Sequence, residues 1–297
     1  MKITRVVCFN LLFFTLFCKV QSHPSWGIAK NAAGEVYLAD VMHGGQGCVW
    51  KIDSSGAAAM VLEGFHCHAL VLQPDGHIYA AGSRVEKGQE WHTLVQIKTG
   101  GIIHELFRTK SWNEFYAGAF SMDRAGNAYF LNRKQLWQRS PDGEVKSFSP
   151  HRFKWANNMV STVEGEVYVL EKRERGGTLY CINAEGKPDW IAEGLIAYPA
   201  DTINCPEEHD RRILGMCLDA ESHVYLTSNC ARQILKVSPM GETSIFYRSE
   251  SDWYPVGLCF DGDEAFIIEV NQSGGIFGPR IIRWKKGVSR SVWVDLS

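Results

Sequence analysis

An all-β fold of six four-stranded blades set around a channel, a six-bladed β-propeller, is what this sequence predicts, and three observations predict it. A short two-strand unit recurs six times; a third and a fourth strand follow each copy; and the first three strands of each copy are apolar at nearly every position. Strands of that last kind must be covered on both faces, which radially packed sheets achieve with few exposed edges.

The unit begins at Gly27 (GIAKNAAGEVYLAD) and returns at Ala69, Ala119, Asn158, Gly215 and Gly257, with periods of 42, 50, 39, 57 and 42 residues. Each copy reads as an apolar strand, a tight turn near Asp or Gly, and a second apolar strand. One column holds Tyr37, Tyr79, Tyr129, Tyr168 and Tyr225, with Ile267 in the sixth copy. The third strands (VWKIDSSG, LVQIKTGG, LWQRSPDG, LYCINAEG, ILKVSPMG, IIRWKKG) end in turns. More polar fourth strands, such as ETSIFYRS, suit an outer rim. An open solenoid of six sheets would need atypical capping repeats at its ends, and the terminal units are ordinary copies.

Residues 1–22 read as an export signal, leaving 23–297 as one propeller domain. Lys2 and Arg5 precede an apolar run of 12 residues, Val6 to Phe17, broken by Asn10 and Thr15, and Val20-Gln21-Ser22 offers a small residue at the cut. The run is short for a span, which takes about 20 residues, and a lipid on Cys18 is disfavoured by bulky Phe17. The expectation is a secreted or periplasmic monomer without a transmembrane segment. Removing Lys2, Arg5 and Lys19 from 31 basic residues leaves 28 against 33 acidic, a net charge of −5 that argues against nucleic acid as a partner.

Seven cysteines follow the signal, so an oxidising compartment predicts some pairing and at least one free thiol. Cys205 with Cys230, and Cys48 with Cys67, are the two predicted disulfides, because the first pair lies in loops at one end of the fifth blade and the second pair is placed similarly around the first and second blades. Cys181, Cys217 and Cys259 read as buried small hydrophobes.

The loops from fourth to first strand and from second to third strand share one end of a propeller, and here they hold the unusual residues. Binding groups belong on loops held by a rigid scaffold. His66, Trp112, Tyr116, Arg133, Trp155, Arg173, Arg212, Arg232, Trp253 and Tyr254 are the predicted ligand-binding set. Aromatic faces stack on flat or sugar ligands, and guanidinium groups pair with carboxylates or phosphates. This composition predicts a small anionic or carbohydrate-like ligand at a cationic, aromatic mouth. His68 opens an inner strand and is expected to point into the channel near Asn157, as a general base or a ligand.

These units resemble NHL-type repeats and the senescence-marker and gluconolactonase group of six-bladed propellers, most closely at Gly215-Met-Cys-Leu-Asp-Ala-Glu221. That resemblance implies a channel cation, calcium or zinc, held by an acidic residue in the first blade, an Asn and an Asp. Asn157 matches the Asn, whereas Leu214 stands where the Asp is due and Ser25-Trp26 offers no carboxylate. A related amidating lyase holds zinc by three inner-strand histidines, of which His68 alone has a counterpart. Three readings follow: a ligand-binding propeller, a lactonase-like hydrolase or lyase with a rearranged site at His68 and Asn157, and a protein-interaction scaffold.

Overall fold

The computed structural model describes residues 25–41, 46–173, 176–195, 213–229, 231–250, 252–271, 277–285 and 287–296, with the side chains of Asn157, Arg173 and Phe277 excepted. The predicted signal lies outside these residues, as do Cys205, Arg212 and Cys230.

Six antiparallel four-stranded sheets form the ring. Blade 1 comprises β1 (Ile28–Lys30), β2 (Val36–Asp40), β3 (Cys48–Ile52) and β4 (Ala58–Glu63). Blade 2 comprises β5 (His66–Leu72), β6 (Ile78–Glu86), β7 (Gln89–Lys98) and β8 (Ile102–Thr109). Blade 3 is β9 (Phe120–Met122), β10 (Ala128–Asn132), β11 (Gln135–Arg139) and β12 (Val145–Arg152). Blade 4 is β13 (Ala156–Ser161), β14 (Val167–Arg173), β15 (Gly176–Ile182) and β16 (Pro188–Glu193). Blade 5 is β17 (Ile213–Leu218), β18 (Val224–Ser228), β19 (Gln233–Val237) and β20 (Thr243–Arg248). Blade 6 is β21 (Trp253–Asp261), β22 (Glu264–Asn271), β23 (Phe277–Lys285) and β24 (Ser289–Asp295). The sheets follow the predicted repeat copy for copy.

Burial explains the composition of the strands. Second strands such as β2, β10 and β18 are buried at every position, while fourth strands such as β4 and β20 are mostly exposed. The tyrosine column has a second physical cause besides ring burial. The hydroxyls of Tyr37, Tyr79, Tyr129 and Tyr225 donate to carboxylates of the turn joining strands one and two: Glu35 (3.0 Å), Asp75, Asp123 and Asp219 (each 2.8 Å). That turn needs one left-handed residue, supplied by Gly34, Gly76, Gly126 and Gly165, and by Ser222 (φ 61°) in blade 5.

Among the described residues no strand is exchanged to close the ring, since blade 6 is drawn from residues 253–295 and blade 1 from 28–63. Closure rests on face packing: Val256, Phe266, Ile268 and Val270 pack with Ile28, Val36, Leu38 and Ile52, and Lys30 pairs with Asp261. Near the axis the inner strands approach backbone to backbone. A Cβ on Gly257 would lie 2.1 Å from the carbonyl oxygen of Trp26, and one on Gly215 would lie 2.6 Å from that of Val256. The channel widens at the other end into a cavity of about 420 Å³, walled by Leu70, Val160, Leu218 and Phe260 among others.

The two loop sets do share one end, tied by backbone bonds such as Phe65 N–H to Gly47 O (3.0 Å) and Phe153 N–H to Lys134 O (2.8 Å).

The predicted Cys48–Cys67 disulfide is corrected: both residues are buried free thiols. Side chains alternate along a strand, so Cys48 shares a face with Trp50 and Ile52, which pack into the seam with blade 6. Cys67 lies in the seam between blades 1 and 2, on the other side of that sheet, and its thiol donates to Ala69 O (3.3 Å). Burial pushes both thiols up to about 12. Native protein is therefore expected to resist thiol reagents at Cys48 and Cys67, whereas both label fully once unfolded without reductant. A peptide map containing the Cys48–Cys67 bridge would overturn this.

Candidate functional site

Alternation along the strands of blade 2 builds a pocket at the loop-bearing end. The β6–β7 ladder runs in register out to the pair Glu86 and Gln89, turned by Lys87 and Gly88 at φ 51° and 75°. Val95 and Ile97 of β7 face blade 1, and Leu94 faces blade 3. Period two then sends Glu90 and His92 toward blade 3 and Trp91 toward the other side. Arg108 and Lys110 lie over the Trp91 ring there, at 4.6 and 4.4 Å.

Between blades 2 and 3, His66, His68, Ser83, Glu90, His92 and Tyr116 line a pocket of about 240 Å³. His92 is 3% exposed, and both of its ring nitrogens are buried without a hydrogen-bond partner. Its ring is 5.5 Å from that of Tyr116 and 5.9 Å from that of Trp112. Burial pulls its pKa below the usual histidine value, partly offset by the Glu90 charge. The Tyr116 phenol moves up, through burial and then Glu90, so it keeps its proton. One wall of the pocket thus presents a neutral imidazole and a protonated phenol.

The opposite wall is a ring stack. His68 lies flat on Trp26 (4.6 Å, 13°) and meets the edge of His66 (4.6 Å, 86°). His68 is 7% exposed and lines this pocket, not the cavity at the other end of the ring. Gly118 gives the pocket its shape, because a Cβ there would lie 2.5 Å from Cε1 of Tyr116. Gly118→Ala is expected to turn the Tyr116 ring out while leaving the fold intact. The readout is exposure of that tyrosine by solvent-perturbation absorbance, and an unchanged spectrum would refute it.

Of the predicted ligand-binding residues, His66 and Tyr116 join His68 in the pocket, with Trp112 beside it (5.5 Å from Tyr116). The other described ones are spread over blades 3 to 6. Arg133 and Arg232 occupy exposed hairpin turns at φ 48° and 49°. Trp155 is 52% exposed before β13. Trp253 is capped by the Arg280 guanidinium at 3.6 Å, and Tyr254 packs into the seam between blades 6 and 1. The side chains of Asn157 and Arg173, and all of Arg212, lie outside the described residues.

Glu90 and His92 are the residues that sequence reasoning missed. The signal was the extension of β7 upstream of its apolar core, which puts both on one face in QEWHTLVQIK.

The donors implied for a channel cation do not fit. Leu214 is buried and its carbonyl accepts the Asn158 side-chain amide, and Ser25 Oγ donates to Cys67 O at 2.8 Å. Among the described residues one set of three ligating side chains converges within 4.8 Å: Asp219, Glu221 and His223. Asp219 is already held by Tyr225 (2.8 Å), His223 Nδ1 (2.9 Å) and Lys236 (3.5 Å), at the end remote from His68.

No protein-family model and no curated protein sequence matches the chain. Solved structures do. A protein of unknown function from Bacteroides thetaiotaomicron superposes with TM-score 0.62 at 16% identity, over 83% of this chain and 66% of its own, so this chain spans about two thirds of that protein. A catalytically inactive histidine-to-alanine variant of virginiamycin B lyase from Staphylococcus aureus, with quinupristin, gives 0.56 at 13% identity, over 92% and 85%. A gluconolactonase from Xanthomonas campestris gives 0.56 at 12%, over 83% and 84%. The six-bladed propeller fold is thereby shown, and its neighbours include lactonase and lyase enzymes.

Proposed function

We propose that this propeller is a lyase or hydrolase that cleaves a C–O bond of a small molecule in the pocket between blades 2 and 3. The single observation that carries the reading is His92, a buried imidazole with both nitrogens unpartnered, facing the same small pocket as Tyr116. A group held neutral by burial is ready to accept a proton, from substrate carbon in elimination or from water in hydrolysis. A phenol that stays protonated supplies the matching acid or polarises the leaving oxygen. His66 and His68, braced by Trp26, supply the facing wall. The need for a histidine in the lyase neighbour supports this reading.

The test is turnover by purified protein on lactones, linear esters and quinupristin. Activity is expected in the wild type and reduced by about 10²–10⁴-fold in His92→Gln, the range for loss of a general base. Equal activity in both proteins would sink the role of His92.

The exposed rings of Trp112 (48%) and Trp155 (52%) favour a second reading, an exported receptor for a small anionic or carbohydrate ligand at the loop face. Export itself is a proposal, checked by N-terminal sequencing of the protein recovered outside the cytoplasm.

A further inference from the structure

We propose that the pocket between blades 2 and 3 selects a substrate bearing a protonated amine, with Glu90 as its counter-ion. The inference rests on the catalytic reading of that pocket and adds the charge class of its substrate.

The charges around the hairpin carry the argument. Among the described residues, no lysine or arginine lines the pocket. Arg84, Arg108 and Lys110 of blade 2 are engaged elsewhere, while exposed Lys87 turns the hairpin. Arg84 follows Ser83 on β6 and turns to the blade 1 side, over the Phe65 ring at 5.2 Å. Arg108 sits on Trp91 and pairs with Glu86 at 3.2 Å, and Lys110 lies on the same ring. Glu90 has no ion pair among the described residues, and it is exposed at the pocket rim on the face opposite those cations. Its charge is felt by both His92 and Tyr116, so the carboxylate overlooks the reacting groups.

Glu90 is therefore the one carboxylate among the described residues lining the pocket, set against the neutral His92 imidazole, a neutral phenol and a serine hydroxyl. A ligand anion would meet an unpaired like charge with no lysine or arginine among the described lining residues to offset it. A ligand ammonium would meet Glu90 and the ring faces of Tyr116 and Trp112, which attract cations. Turning Glu90 and His92 to one face of β7 places the cation-selecting group two residues from the base. An amine-bearing ester or lactone would thus lie with its ammonium at the rim and its scissile oxygen toward Tyr116.

The experiment uses three isosteric probes on the full chain: benzylamine, benzyl alcohol and benzoate, with binding read from chemical-shift perturbation of the histidine rings. Benzylamine is expected to bind at least about tenfold more tightly than benzoate, a preference that falls with added salt. Glu90→Gln is expected to erase most of that preference without changing benzyl alcohol binding, and Glu90→Lys to reverse it. Glu90 is exposed, so neither variant threatens folding. Benzoate binding as well as benzylamine, no saturable benzylamine binding, or a preference that survives in Glu90→Gln each overturns the proposal. His92→Gln separates the two claims, because it is expected to remove turnover and leave benzylamine binding in place. If wild-type turnover is absent but the amine preference depends on Glu90, the catalytic reading alone fails.

Discussion

Glu269→Ala is expected to destabilise the protein by about 3–5 kcal/mol, the range for breaking a buried ion pair by removing one partner. Glu269 is fully buried on β22. Arg280, its cross-strand partner on β23, donates to Oε2 through Nε (2.9 Å) and Nη2 (2.6 Å). Tyr247 of blade 5 donates to Oε1 at 2.8 Å, and Arg290 of β24 donates to the Tyr247 hydroxyl at 3.0 Å. One carboxylate thus ties two blades and three strands of blade 6 together. Removing it leaves the Arg280 guanidinium, 7% exposed, against Trp253 with the exposed Glu250 carboxylate, at 3.9 Å, as its remaining counter-ion. Urea unfolding measures the loss, which should persist in high salt because buried pairs are poorly screened. Glu269→Gln keeps the shape and some hydrogen bonds, so its loss should be smaller. A shift under about 1 kcal/mol for Glu269→Ala would show that the network is dispensable.

The second large effect concerns pH. His92 is held neutral by burial, so its folded pKa lies below the unfolded value of about 6.5. In the window between the two, the unfolded chain binds a proton that the folded chain does not. Stability therefore rises with pH across that window, is fully present above about 6.5, and is lost as pH falls toward the folded value. Turnover should follow the same direction, falling on the acid side as the base is protonated. His92→Gln is expected to flatten the acid limb of the stability curve while removing most activity. Unfolding midpoints measured from pH 7 downward, for both proteins, check it. A variant that loses stability on acidification as steeply as the wild type would place the responsible group elsewhere.

Much of the architecture was legible beforehand, and particular residues show why. The tyrosine column marked blade positions because the rings pack between blades and four of the five hydroxyls meet a turn carboxylate, both set by local sequence. The strand-by-strand burial followed from composition, since a strand covered on two faces cannot tolerate alternation. The site was legible in part. His66, His68, Trp112 and Tyr116 were identifiable as loop-end residues, but their convergence on Glu90 and His92 was not.

What the sequence determined by itself was the repeat: six copies, four strands in each, and the end of the ring that carries the long loops. Those properties follow from periodicity and turn chemistry within about fifty residues of chain. The tertiary structure alone decided which face of each strand meets which neighbour. It set Cys48 and Cys67 on opposite sides of one sheet, turned His68 onto Trp26, and spread Arg133, Arg232 and Trp253 over separate blades. The physical reason is that blade-to-blade contacts form between residues far apart in sequence, and a one-residue change of strand phase exchanges their faces.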